Sequence, residues 1–309
     1  MKKVTTKPKY FSFTRYLETK KGVDDRAINE KVWADLAEAI NRRSGLRVLE
    51  IGAGTGSMLE RLISANLLPQ ASYTGLDLSS ENTRYAISSL PAWANRNGFQ
   101  VNETAHGCFS LEKYSQHVSV EFETADVLDF VEQAGNWQNY DLLVAHAFLD
   151  LVDIPHLLPR LFRLLDREGL FYFPINYDGL TVLEPQIDED LDRQVLALYH
   201  ETMDTRITGG LPSGDSQTGR HIFNHIRKAG GMILAAGSSD WVIFAGENGY
   251  TEEEAYFLHF IIHTISNALQ GQPQLDRRAF QEWINARHAQ IDSSELVYIA
   301  HQIDLLGKI

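Results

Sequence analysis

The stretch Val48-Leu49-Glu50-Ile51-Gly52-Ala53-Gly54-Thr55-Gly56 decides the fold. A short apolar run at 47–51 predicts a buried strand, and the apolar spacing of 57–68 predicts a helix directly after the glycines. Glycines at alternate positions allow positive φ and let a ligand approach the backbone, while the amide groups of the first helical turn point into the same crevice. The stretch therefore predicts a ligand site at the carboxyl end of a parallel strand.

A carboxylate closes the next predicted strand. Asp77 lies near the end of the run 71–78, about twenty residues after the glycines, where an acidic side chain can accept both hydroxyls of a ribose. The two features together indicate a nucleotide-type ligand. The dinucleotide fingerprint Gly-x-Gly-x-x-Gly does not fit, because Ser57 stands where its third glycine belongs. This mismatch disfavours NAD.

Further strands continue the alternation with helices. Apolar or alternating runs at 118–126, 141–148 and 169–176 predict a parallel sheet with right-handed crossovers. The apolar runs 232–237 and 240–246 are separated by only two residues, which is too short for a crossover helix. These two runs are therefore predicted to form an antiparallel hairpin at the end of the sheet.

Both ends of the chain are predicted to be mainly helical. A helix is expected from Asp24 to about residue 43, with Asp24 or Asp25 as its cap, preceded by an arm with an aromatic cluster at 10–16. Apolar side chains recur at helical spacing in 251–270 and again in 293–306. Those faces must be buried on the sheet domain or against a second copy, so a monomer and a homodimer both stay open.

Composition and charge exclude several classes of function. The chain has 309 residues, of which 44% are hydrophobic, with 28 Lys+Arg against 41 Asp+Glu and a net charge of −13. The acidic balance disfavours binding to nucleic acid or to a membrane surface, and no apolar stretch approaches the length of a membrane span. The single cysteine, Cys108, excludes an internal disulfide and a cysteine-rich zinc site. We therefore expect a cytoplasmic protein, and no metal site is predicted.

The glycine pattern, with Glu50 two residues ahead of its first glycine and a reversed hairpin at the end, resembles the class I S-adenosylmethionine-dependent methyltransferases. The resemblance covers roughly residues 46–246. It implies an α/β, Rossmann-like fold with a seven-stranded, mostly parallel sheet and a terminal antiparallel hairpin, plus N-terminal and C-terminal helical additions. The implied domains are an arm and helix covering the cofactor (1–45), a methyltransferase core (46–247) with a cap insertion (178–216), and a C-terminal helical extension (248–309).

The resemblance also implies S-adenosyl-L-methionine as the cofactor. Asp77 would hold the ribose hydroxyls, and Leu78 would pack on the adenine. Asp126 would accept a hydrogen bond from the adenine amino group, and the Val127 amide would reach a ring nitrogen. Glu50 would fix the loop or a nearby amino group. From the residues alone, Asp126 is also suited to capping the helix that follows it. The full implied set is Arg26, Glu50, Gly52, Ala53, Gly54, Gly56, Asp77, Leu78, Asp126, Val127 and His146.

The acceptor side is expected at the ends of the fourth and fifth strands. His146 is the candidate general base, because histidine titrates in the required range, although it also fits a core histidine. The candidates for substrate binding are Asp150, Asn176, Tyr177 and Arg220. Asp150 also fits a solvated loop, and Arg220, at the start of a predicted helix, also fits a surface ion pair.

Three functions compete on these observations. The first is methyl transfer to a small molecule, favoured because the insertion 178–216 and the helices after 250 are long enough to cover a pocket. The Asn/Asp-Pro-Pro-Tyr motif of amino-methylating enzymes that act on DNA or glutamine is also absent, and the place reads Ala145-His146-Ala147-Phe148. The second is aminopropyl transfer on the same fold, with Asp150 and Asp153 holding a polyamine. The third is a non-catalytic adenosylmethionine-binding protein whose C-terminal helices bind a partner.

Overall fold

A computed structural model describes residues 7–41, 43, 45–208 and 210–309; the first six residues of the predicted arm lie outside it. The helices are Phe13–Ala27 (α1), Glu30–Asn41 (α2), Ser57–Ser64 (α3), Ser80–Arg96 (α4), Val127–Glu132 (α5), Ile154–Phe162 (α6), Glu189–Asp204 (α7), Thr218–Lys228 (α8), Glu252–Ala268 (α9) and Arg277–Asp292 (α10). The strands are Leu46–Ile51 (β1), Gln70–Asp77 (β2), Gln100–Ala105 (β3), Cys108–Lys113 (β4), Gln116–Thr124 (β5), Tyr140–Ala145 (β6), Leu165–Glu184 (β7), Ile207–Thr208 (β8), Leu211–Pro212 (β9), Met232–Ser238 (β10), Trp241–Ile243 (β11) and Val297–Lys308 (β12).

One mixed sheet organises the chain, in the order β10-β12-β7-β6-β1-β2-β5-β4-β3. Its five central strands, β7, β6, β1, β2 and β5, are parallel, which confirms the predicted α/β class with a mostly parallel centre. Within the described residues, the sheet has ten strands rather than the seven expected. Two of the additional strands, β3 and β4, come from a segment with no clear sequence pattern and extend the β5 edge in antiparallel fashion.

The opposite edge corrects the sequence prediction. The runs 232–237 and 240–246 do not pair with each other as a hairpin; β10 and β11 both pair antiparallel with β12. The segment 293–306, predicted as a helix, supplies most of β12, which also pairs antiparallel with β7. Apolar residues in this segment satisfy a period of two as well as a helical period. Without this segment, the amide and carbonyl groups on one edge of β7 would lack hydrogen-bond partners. Pairing with β7 therefore selects the strand over the helix.

The N-terminal helical region also differs from the prediction. Two helices, α1 and α2, replace the single helix expected from Asp24 to about residue 43. α1 begins much earlier, because the Ser12 side chain accepts a hydrogen bond from the Arg15 amide at 3.3 Å and caps it. Asp24 lies in the last turn of α1 and caps nothing. Part of the predicted arm is therefore a helix.

The proposed domain boundaries change in two places. Residues 178–184, assigned to the start of the cap insertion, are the end of the long strand β7. The region 248–309 is not a purely helical extension, because β12 brings its last residues into the central sheet. α7 lies within the rest of the proposed insertion. The proposed core and C-terminal extension thus share one sheet.

Alternating side chains of the sheet fill two apolar layers. Val48 of β1 packs with α2, α3 and α4 on one face, while Leu49 packs with α5, α6 and α8 on the other. A third apolar cluster joins α7, α9 and α10 to β11, β12 and the end of β7. Among the described residues, no helix combines the length and the apolar character that a membrane crossing requires.

Candidate functional site

The glycine loop follows β1 at the carboxyl edge of the parallel strands. Gly52, Gly54 and Gly56 have φ of 66°, 57° and 84°, a region that side chains with a Cβ seldom adopt. The Ala53 amide donates to the Leu76 carbonyl at 2.8 Å and ties the loop to β2. Gly56 is the N-cap of α3, so the first amides of that helix face the crevice as predicted from the sequence.

Two side chains lie directly over this loop. A Cβ placed on Gly52 would lie 2.4 Å from Cδ2 of Phe148, and one placed on Gly54 would lie 3.2 Å from Cδ1 of Leu17. Leu17 belongs to α1, so this helix covers the loop, as the sequence analysis expected of the N-terminal segment. At Gly52 only a residue without a side chain fits.

Asp77 lies beside the loop and binds it. Its Oδ2 accepts a hydrogen bond from the Gly54 amide at 2.8 Å. Its Oδ1 accepts from the Ser79 amide at 2.8 Å and from Asn82 Nδ2 at 3.3 Å. A carboxylate offers about four acceptor positions, so three are used by the protein itself. A diol that takes two of them would displace the longest of these bonds, the one to Asn82.

The residues expected around an adenine lie on the next two strand ends. Leu78 is 72% exposed directly after β2, which leaves an apolar side chain open beside Asp77. Asp126 caps α5, with its Oδ1 accepting from the Leu128 amide at 2.8 Å. Val127 is the first residue of that helix. The capping interpretation of Asp126 is thus observed, and its other oxygen makes no hydrogen bond within the described residues.

Glu50 is buried at the end of β1, with 1% of its surface exposed. The hydroxyl of Tyr73 donates a hydrogen bond to Glu50 Oε2. Burial raises the pKa of Glu50 to about 8, although the bond from Tyr73 opposes this. The contact joins β1 to β2 beneath the glycine loop, which supports the interpretation that Glu50 fixes the loop.

His146 lies in a buried ion cluster that the sequence analysis missed. Its Nε2 lies 3.1 Å from Asp24 Oδ2. Asp24 also binds Lys20 Nζ at 2.6 Å and Trp241 Nε1 at 2.9 Å, and Arg61 Nη2 lies 3.8 Å away. Burial would raise the pKa of Asp24, but Lys20, His146 and Arg61 together hold it below its ordinary value.

The same cluster sets the protonation of His146. Burial and the nearby charge of Lys20 lower the pKa of His146 to about 4, despite the attraction of Asp24. The imidazole is therefore neutral near neutral pH. A sequence signal for this cluster existed, because Lys20 and Asp24 have the i, i+4 spacing of a helical ion pair. It required knowing that α1 begins before residue 20.

The two predicted arginines have other partners. Arg26 Nη2 binds Glu254 Oε1 of α9 at 2.7 Å, so its guanidinium joins α1 to α9. Arg220 is half-exposed and donates from Nε to Asp178 Oδ1 at 2.9 Å and from Nη2 to the Asp178 carbonyl at 2.9 Å. This is the surface ion pair that the sequence analysis left open for Arg220.

The other candidates for substrate binding, Asn176, Tyr177 and Asp150, differ in their hydrogen-bond partners. Asn176 is fully buried and its Nδ2 donates to the carbonyls of Phe173 and Ile303 at 2.6 and 2.8 Å, so it joins β7 to β12. Tyr177 Oη hydrogen-bonds to Thr181 Oγ1 at 2.8 Å and to His200 Nε2 at 2.7 Å. Burial raises the pKa of Asp150, and its Oδ1 makes no hydrogen bond with any described residue.

A surface groove of about 540 Å³ lies elsewhere, between α1, α2, α3 and α4. Trp33 and Trp93 form part of its wall, together with the ion pair between Lys21 and Glu60. It includes no residue of the glycine loop and neither Asp77 nor His146. The groove is therefore separate from the candidate site.

Comparisons with known proteins bear on the first half of the chain. Residues 49–171 match a family model described as a methyltransferase domain. This segment begins in β1 and ends in β7, and it contains the glycine loop, Asp77 and His146. A search of curated proteins found no match.

Several solved structures are similar to the chain at low identity. They include an S-adenosylmethionine-dependent methyltransferase from Methanosarcina mazei (13% identity, 87% of this chain and 96% of that chain covered, TM-score 0.48). Another is a methyltransferase from Thiobacillus denitrificans in complex with S-adenosyl-L-homocysteine (16%, 93% and 95%, TM-score 0.45). A third is a geranyl diphosphate C-methyltransferase from Streptomyces coelicolor (8%, 90% and 81%, TM-score 0.43). These scores are too low to carry an argument about function.

Proposed function

We propose that this chain, whose residues 49–171 match a methyltransferase domain, is a class I enzyme that transfers a methyl group from S-adenosylmethionine to a small molecule. One observation carries the proposal: a glycine loop with three left-handed residues is bound by Asp77 at the carboxyl edge of β1 and β2. Ligands of open α/β sheets bind at that edge.

The residues around the loop fit this cofactor. Asp77 has acceptor capacity for ribose hydroxyls, the exposed Leu78 offers an apolar surface for adenine, and the Val127 amide is available at the start of α5. When bound, the cofactor supplies a methyl group on a positively charged sulfur, so that the leaving group is a neutral thioether. The protein's main tasks are then alignment and exclusion of water.

A small acceptor is favoured by the elements that surround the strand ends. α1 packs against α9, with the Ser12 amide donating to Tyr256 Oη at 2.8 Å. α7 packs against α10, with Trp283 Nε1 donating to Asp192 Oδ1 at 2.5 Å. These helices form one apolar cluster with the end of β7, and a cover of this kind favours a small acceptor over a macromolecule. The net charge of −13 also disfavours a nucleic acid.

His146 has a different role in this proposal from the one the sequence suggested. A general base is most efficient when its pKa is near the working pH, and the pKa of His146 is lowered to about 4 by burial. The neutral ring instead serves to position Asp24 and α1 next to the loop. A positioning role requires no proton transfer to His146.

Calorimetry with four ligands tests the proposal. S-adenosylmethionine and S-adenosylhomocysteine should bind in the micromolar range, about −8 kcal/mol, and decarboxylated adenosylmethionine and NAD should bind far more weakly. Tighter binding of the decarboxylated form would instead favour aminopropyl transfer. Binding without any incorporation of labelled methyl groups into a small-metabolite extract would favour a non-catalytic binding protein.

A further inference from the structure

The surface groove between α1, α2, α3 and α4 has the size of a ligand site. Its volume is about 540 Å³, within the range of about 300–1,000 Å³ that small-molecule sites have. None of the residues that line it belongs to the glycine loop or to the ends of β2 and β5, where the cofactor is proposed to bind. The groove is therefore free to hold a ligand other than the cofactor.

Two tryptophans from different helices line the groove. Trp33 of α2 and Trp93 of α4 are both partly buried. Each ring packs against a second aromatic ring: the centroids of Trp33 and Tyr172 are 5.9 Å apart, and those of Trp93 and Phe99 are 6.2 Å apart. These contacts fix the indoles in place before a ligand arrives. Indole is also the aromatic ring that attracts cations most strongly.

The two basic side chains that line the groove are already paired. Lys21 Nζ binds Glu60 Oε2. Arg61 Nε donates to Asp25 Oδ1 at 2.5 Å. The other guanidinium nitrogens of Arg61 donate to the Lys21 carbonyl at 3.0 Å and to Ser57 Oγ at 3.2 Å, and only 9% of this side chain is exposed. The positive charge of each is therefore compensated within the protein, and little of it remains to attract an anion.

Negative charge in the groove exceeds positive charge. Asp25, Glu30 and Glu60 line it together with only two cations, Lys21 and Arg61. Glu30, the first residue of α2, is exposed and makes no ion pair or hydrogen bond with any described residue. The second carboxylate oxygens of Asp25 and Glu60 also accept no hydrogen bond within the described part of the chain. The unused binding capacity of the groove is therefore for positive charge.

We propose that this groove binds a small organic cation, with its charge beside Glu30 and its apolar body against Trp33 and Trp93. Glu30 and Trp33 are three residues apart on α2, so their side chains share one face of that helix. A carboxylate attracts the charge of such a ligand, and the indole rings attract both its charge and its apolar surface. An anion would be repelled by the three carboxylates, and a neutral molecule would gain only the contacts with the rings. The inference does not rest on the proposed methyl transfer.

Calorimetry with the full-length protein tests the inference. Benzyltrimethylammonium is the probe, and benzyl alcohol and benzenesulfonate are the neutral and anionic comparisons. The cation should bind with a Kd of about 1 mM or lower, at least about tenfold more tightly than either comparison. Its affinity should fall as the salt concentration rises. Saturating S-adenosylhomocysteine should leave the affinity unchanged, because the groove shares no residue with the glycine loop.

Substitutions in the groove locate the bound cation. Trp93→Leu should weaken binding about fivefold or more. Trp137→Leu is its matched control, because Trp137 is 40% exposed and lies outside the groove. Glu30→Gln should weaken binding about threefold, and Glu103→Gln, at an exposed position of β3, should leave it unchanged. Glu30 is exposed, so its variant decides the question even if Trp93→Leu does not fold.

Four results would overturn the inference. They are no binding of benzyltrimethylammonium at millimolar concentration, equal affinity for benzyl alcohol or benzenesulfonate, displacement of the cation by S-adenosylhomocysteine, and native affinity in a folded Trp93→Leu or Glu30→Gln protein. Failure of S-adenosylhomocysteine to bind the native protein would count against the proposed function alone. The cation is titrated separately, so the two failures are distinguishable.

Discussion

Replacing Asp77 by asparagine tests the geometry of the glycine loop. In the native protein, Oδ2 of Asp77 accepts from the Gly54 amide and Oδ1 accepts from the Ser79 amide, both at 2.8 Å. Asparagine keeps one acceptor, which the Ser79 amide can still use. Its other position becomes an NH2 group that faces the Gly54 N–H, so a donor meets a donor and the loop loses one of its two attachments to β2, while the Ala53–Leu76 backbone bond remains.

The magnitude follows from the bond that is lost. A hydrogen bond to a charged group contributes about 1.5–3 kcal/mol, so Asp77→Asn should lower the free energy of unfolding by about 2 kcal/mol. The same carboxylate is the proposed acceptor for the ribose hydroxyls, and loss of one such contact costs a similar amount. Since 1.4 kcal/mol is about a factor of ten, we expect the Kd of S-adenosylhomocysteine to rise about 30-fold or more.

Calorimetry and thermal unfolding of the same samples measure both effects. Asp188→Asn is the matched control, because Asp188 also accepts a backbone amide, that of Leu191 at 2.9 Å, but caps α7 far along the chain. It removes the same charge and should leave the Kd unchanged. A folded Asp77→Asn protein with native affinity for S-adenosylhomocysteine would refute the reasoning, since neither the loop attachment nor the ribose contact would then matter.

Three further changes have expected outcomes. Gly54→Val should abolish S-adenosylhomocysteine binding by calorimetry, while the circular dichroism spectrum stays native. The reason is that φ is 57° at Gly54 and that Leu17 occupies the space above it. Native affinity would mean that the loop is only a turn. Leu305→Ala, at a fully buried strand position, should lower the free energy of unfolding by about 3 kcal/mol, as measured by urea titration. Ile299→Ala should lower it by less than half of that amount. The reverse order would favour the helix that the sequence predicted for 293–306. Burial lowers the pKa of His146 from 6.5 to about 4, so protonation of this residue favours the unfolded state. The free energy of unfolding should therefore be highest above pH 6.5 and should fall as the pH falls toward 4. Between about pH 7 and 5 the loss should be about 2 kcal/mol. His146→Gln should remove that part of the pH dependence, while His106→Gln, at an exposed position, should leave it intact.

The local sequence pattern determined the fold of the first half of the chain. The run 47–56, with strand, glycine turn and helix in direct succession, predicted the loop that the structure has, because the φ angles of glycine turns and the amphipathic period of α3 are set within a few residues. The position of Asp77 beside the loop followed from its place at the end of the next strand. The parallel centre of the sheet followed from the same alternation of strands and helices.

Only the tertiary structure decided the role of β12 and what depends on it. The apolar residues of 293–306 satisfy both a helical and a strand period, and the open edge of β7, far away in sequence, selects the strand. The buried cluster of Lys20, Asp24 and His146 likewise forms only when α1 crosses the end of β6. Hydrogen bonds and charges between distant segments depend on distances in space, and no window of sequence contains those distances.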